Sequence, residues 1–74
     1  MMNTPKLDLH GLPHEDVTDA VHTFINESWE AAEVHIITGH SRRMKHIVKE
    51  VLAMYDVEVE DGDPRNPGYL RILK

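Results

Sequence analysis

Leu7-Asp8-Leu9-His10-Gly11 is the stretch from which the fold of this chain can be read. Its leucines alternate with polar residues, so an extended backbone would bury Leu7 and Leu9 and leave Asp8 and His10 together on the opposite face. Gly11 then allows a sharp turn where the strand ends. A carboxylate beside an imidazole at the C-terminal end of a strand can bind a metal, orient a general base or grip a phosphate. The tetrapeptide Asp8-Leu9-His10-Gly11 alone does not choose among these. Its weight comes from a second loop, Thr38-Gly39-His40-Ser41, which occupies the same place after the next expected strand.

Between these loops the apolar spacing changes from two to that of a helix. Val17, Ala20, Val21, Phe24 and Ile25 form one buried stripe after Pro13, and Glu15, Asp16 and Asp19 suit the positive end of the helix dipole. The helix is expected to run on through residues 26–33. Val34, Ile36, Ile37 and Thr38 read as a mostly buried strand, with His35 on its less covered face. Met44, Ile47, Val48, Val51, Leu52 and Tyr55 repeat the helical spacing, and the Ser41 hydroxyl can cap that second helix. Val57 and Val59 then alternate with Asp56, Glu58 and Glu60 as a strand with one wet face. Residues 61–68 are dense in turn formers. Residues 69–74 form a last strand, with Leu70 and Ile72 on one side and Tyr69, Arg71 and Leu73 on the other.

The order β-α-β-α-β-β implies an α/β two-layer sandwich. Right-handed crossovers place both helices on one face of a four-stranded mixed sheet. The other face stays open, which accounts for Asp8, His10, His35 and Arg71 in otherwise apolar strands. The 74 residues leave room for one domain, expected over residues 6–74 after a flexible N-terminus at 1–5.

Composition narrows the function classes. The chain has no cysteine, which excludes disulfides and thiolate zinc sites. It has no apolar run near the ~20 residues of a membrane span. Residues 1–6 lack the apolar centre of a signal peptide, so a cytoplasmic location and no membrane partner are expected. The net charge of −5 argues against broad nonspecific binding of nucleic acid, but the charge is uneven. Residues 1–37 carry Lys6 against seven acids, whereas Arg42, Arg43, Lys45 and Lys49 stand together where the second helix begins.

In open α/β sheets, ligands gather outside the C-terminal ends of parallel strands. The first two strands are parallel because a helix connects them. Loops 8–14 and 38–43 should therefore lie side by side, bringing Asp8, His10, His14, His40, Arg42 and Arg43 to one edge. Gly39 would let backbone amides approach a bound group, and a helix N-terminus flanked by two guanidinium groups favours phosphate. A phosphodiester fits this edge better than a small metabolite. Asp8, His10, His14 and His40 offer oxygen and nitrogen ligands, yet they lack the spacing of a recognised zinc motif, so no metal ligand set is assigned. A divalent cation held weakly by Asp8 is the only cofactor suggested. Ser41 lies in no nucleophile-elbow pattern.

Leu7-Asp8-Leu9-His10-Gly11, Ile37-Thr38-Gly39-His40-Ser41 and a loop ending at Gly68 before the final strand together resemble the Smr (small MutS-related) domain over residues 6–73. The resemblance implies a fold like the C-terminal domain of translation initiation factor three, with the last strand inside the sheet beside strand two and strand three at the edge. It implies nicking or cleavage of DNA or RNA, with Asp8 and His10 as the catalytic residues. Ser41 departs from the pattern, standing where the family has a second glycine, and Pro67-Gly68 replaces the usual glycine pair. Expected contacts with nucleic acid are Gly11, His14, Thr38, Gly39, His40, Ser41, Arg42, Arg43, Arg65, Gly68 and Arg71. A noncatalytic module that binds nucleic acid or protein on the same fold is the alternative. A monomer is expected, with nucleic acid as its partner and a recruiting protein as a further one.

Overall fold

A computed structural model describes residues 4–62, 65 and 68–74. Six elements follow in the expected order: β1 (Lys6–Asp8), α1 (His14–Glu27), β2 (Glu33–Ile37), α2 (Arg42–Leu52), β3 (Glu58–Asp61) and β4 (Tyr69–Leu73). The sheet order is β1-β2-β4-β3, with β1 parallel to β2 and the other pairs antiparallel. The last strand therefore sits in the interior and the acidic β3 at the edge, where charge discourages pairing with another chain.

Strand alternation divides the sheet cleanly. Val34, Ile36, Leu70 and Ile72 face the helices and are fully buried. They join Leu9 with Val17, Val21 and Ile25 of α1 and Met44, Val48, Val51 and Leu52 of α2 in one core. Both helices thus cover the same face. The other face carries Lys6, Asp8, Glu33, His35, Ile37, Tyr69, Arg71, Glu58 and Glu60, as the pairing register places them.

Several boundaries differ from the reading of the sequence. α1 ends at Glu27 rather than continuing through residue 33, and Glu33 opens β2. The stop is built by Ser28, which leaves helical geometry at φ −109°. Both its amide and its hydroxyl donate to the Phe24 carbonyl, at 2.9 and 2.6 Å. Thr38 falls just beyond β2, and β3 begins one residue after Val57. Of the stretch expected to be a flexible N-terminus, Pro5 is already tied to the sheet, its carbonyl accepting the His35 amide at 3.0 Å. Residues 1–3 lie outside the described residues.

Candidate functional site

The two glycine loops emerge side by side because β1 and β2 run parallel. The Leu9 amide extends their pairing by donating to the Ile37 carbonyl at 2.8 Å. Leu9 itself is buried and anchors the first loop. Its carbonyl accepts the Leu12 amide at 3.0 Å, closing a turn through Gly11 at φ +83°. A non-glycine residue with a side chain would be strained in that left-handed conformation.

Asp8 acts on this loop through the backbone. Its Oδ1 accepts the amide of His10 at 2.9 Å, an Asx-type turn that fixes the start of the loop. The carboxylate therefore orients the residue carrying the imidazole rather than touching the ring. His10 is exposed, and among the described residues its ring nitrogens have no hydrogen-bond partner. Its Cδ2 lies where a side chain on Gly39 would meet it, 3.7 Å from an idealised Cβ. That is ordinary van der Waals contact, so Gly39 is required by its φ of +67° and not by space.

The second loop is tied to the end of the chain. The amides of Thr38 and Gly39 both donate to the Gly68 carbonyl at 2.9 Å. The buried Thr38 hydroxyl lies 3.0 Å from the Gly39 carbonyl and 3.4 Å from that of Gly68. The amides expected to approach a bound group follow Gly39, and the Gly39 amide itself is not among them. It is consumed by Gly68 and is not offered to a ligand. The amides left at this edge are those at the start of α2. There Ser41 Oγ accepts from the Met44 amide at 3.0 Å, while those of Arg42 and Arg43 have no intrahelical acceptor.

The structure thus gathers Asp8, His10, Gly11, Thr38, Gly39 and Gly68 through bonded or touching loops, with Ser41, Arg42 and Arg43 following directly on. His14 is the first residue of α1 and His40 lies in the second loop, both exposed. Among the described residues neither they nor Arg42 and Arg43 form a side-chain hydrogen bond or ion pair, which leaves the two guanidinium groups available. Arg65 is exposed, and neither it nor Gly68 is without a partner. The intervening residues 63, 64, 66 and 67 lie outside the described residues.

Arg71, expected on the open sheet face and as a contact with nucleic acid, lies apart from the two glycine loops. It sits in the middle of β4, opposite His35, on the open sheet face. Its guanidinium reaches Glu33 and Glu60, each at 3.3 Å. A charge held between two carboxylates has little attraction left for a phosphate. His35, read from the sequence as an ordinary solvent-facing strand residue, takes part in the same cluster through Glu33, at 2.7 Å. These hydrogen bonds, His35 first and Arg71 next, hold the Glu33 carboxyl below its ordinary 4.5. Among the described residues, no three histidine, aspartate or glutamate side chains converge as a metal site. The cation suggested for Asp8 would have that one carboxylate, already accepting the His10 amide, to hold it.

A mixed sheet with order 1-2-4-3 and glycine loops above its two parallel strands defines an α/β sandwich of the small MutS-related kind. The Smr domain family model matches residues 7–67, and the chain belongs to that family, associated in general with binding and nicking nucleic acid. The fold is similar to the crystal structure of YdaL, a stand-alone small MutS-related protein from Escherichia coli, with a TM-score of 0.70 and 24% sequence identity. The similarity covers 92% of this chain and 62% of the YdaL chain, so this chain spans less than two thirds of that relative. Comparison with curated proteins gives no match. Among the described residues no helix is long and apolar enough to cross a membrane.

Proposed function

We propose that this protein is a small endonuclease acting on DNA or RNA phosphodiesters, working in the cytoplasm as a monomer. The observation that carries the reading is the exposed His10 ring, which has no hydrogen-bond partner among the described residues and stands near Gly39 in the loop that leads into α2. Arg42, Arg43 and their amides, which have no acceptor among the described residues, hold the phosphate and stabilise the charge that develops on its oxygens. Water, or the neighbouring 2′-hydroxyl where the strand is RNA, forms the new bond to phosphorus as the bond to the leaving oxygen breaks. His10 takes the proton from the nucleophile or returns one to the leaving oxygen. Asp8 keeps the imidazole in place through the backbone turn. His14 and His40 add hydrogen-bonding groups along the strand, and Arg65 a further guanidinium.

One observation favours the alternative, a noncatalytic binding module. No second acid or base touches the His10 ring among the described residues, so a lone imidazole must serve without a partner. Nicking of supercoiled plasmid and cleavage of a structured RNA, by wild type and His10→Ala, separate the two. The enzyme reading expects a loss on the order of 10²-fold or more in the variant, the usual worth of a positioned general acid or base. Equal residual cleavage by both proteins would mark a contaminant and leave the binding module.

A further inference from the structure

The open sheet face holds a second feature beside the loops. Lys6, His35, Ile37, Gly68 and Tyr69 line an open concavity of about 340 Å³, near the lower end of the range for small-ligand sites. We propose that it is a stacking subsite for one unpaired nucleobase, with Tyr69 and His35 as its aromatic walls. The inference rests on the nucleic-acid reading above and extends it from the phosphate to the base.

Register places this concavity next to the chemistry. Asp8, Ile37 and Tyr69 are direct cross-strand neighbours on the same face. Tyr69 is thus two strand spacings, about 10 Å, from Asp8. Gly68 joins the two regions, lining the concavity while its carbonyl binds the Thr38 and Gly39 amides. A strand whose phosphate lies at the loop edge therefore has a place for a neighbouring base.

Charge selects the base over the phosphate. The face carries Asp8, Glu33, Glu58 and Glu60 against Lys6 at the rim of the concavity and an Arg71 already engaged by two of those acids. A phosphate would be repelled there, and an uncharged heterocycle would not. The rings of Tyr69 and His35 stand 5.2 Å apart at 38°, and the side chain of Ile37 completes an apolar surface. His35 donates its Nε2 proton to Glu33, because a carboxylate in this state only accepts. Its Nδ1 has no partner among the described residues and can meet a polar base edge. Lys6, exposed and without an ion pair among the described residues, lies at the rim for the attached backbone. Stacking is tolerant of sequence and needs a base outside a duplex, so the subsite favours single strands.

Wild-type protein should bind a short single-stranded oligonucleotide about 5- to 150-fold more tightly than an equally long strand of abasic sites, the range for one stacked base. Fluorescence anisotropy reads both. Tyr69→Phe should keep that difference and Tyr69→Val erase it. In the wild-type complex, nuclear Overhauser contacts should join Tyr69 ring protons to base protons, a readout that needs no variant. Equal affinity for the two strands, a base preference that survives in Tyr69→Val, or a bound complex without those contacts would overturn the subsite and leave the His10 chemistry standing. Failure of the wild type to bind any strand would overturn both.

Discussion

Ser41 shows at the scale of one residue why the second loop tolerates a departure from its family pattern. Its backbone is extended, at φ −74° and ψ 116°, so nothing there demands glycine. Gly39, at φ +67°, is the position that does. In exchange the serine hydroxyl accepts the Met44 amide and closes the first turn of α2, the helix that presents Arg42 and Arg43. Ser41→Ala should cost about 1 kcal/mol of stability and Ser41→Gly only a few tenths, following the general ranking of N-cap residues. Urea denaturation measures both, and a glycine variant less stable than the alanine one would refute the capping role.

Among the elements, β4 owes its central place to partners on both sides. Its apolar residues meet β2 and β3 under the helices, while Arg71 spans the open face from Glu33 on β2 to Glu60 on β3. Folding lowers the pKa of Glu33, so the folded state favours its ionised form. The resulting stabilisation is complete above about pH 4.5, the group's ordinary value, and is lost as pH falls through the lowered folded value. Glu33→Gln lacks it at every pH. The gap in Tm between wild type and Glu33→Gln should therefore be present at pH 7 and close toward pH 3. Thermal melts across that window test this, and a gap of constant size would show that the cluster contributes nothing through ionisation.

Over the whole molecule, the two helices carry opposite charge. α1 presents Glu15, Asp16, Asp19 and Glu27 to solvent, whereas α2 opens with Arg42 and Arg43. With only a handful of cations at the loop edge, binding of a short oligonucleotide should be weak, on the order of 10⁻⁴–10⁻⁶ M, and should fall as salt rises. Chemical-shift mapping should move residues 11–14, 39–43, 65 and 68 and leave the exposed face of α1 still. Shifts confined to α1 and β3 would reject the loop edge as the site.

Much of this architecture is legible in the sequence because burial is periodic along the chain. Leu70 and Ile72 against Tyr69 and Arg71, or Val17, Val21 and Ile25 along α1, reveal element type and buried face locally. The serine cap and the adjacency of the two loops follow from the same local logic and one rule of chirality. Other features are not recorded in the apolar spacing, some because their partners lie far apart in sequence. Ser28 ends α1 at Glu27 by satisfying the Phe24 carbonyl, a choice the apolar spacing does not record. Gly68 takes the Gly39 amide across the fold, and Arg71, an expected contact with nucleic acid, is drawn to Glu33 on a neighbouring strand. The sequence by itself therefore determined which residues are buried and which loops meet. Tertiary structure alone decided which amides and charges remain free for a ligand, because a donor's availability depends on the acceptor that pairing brings to it.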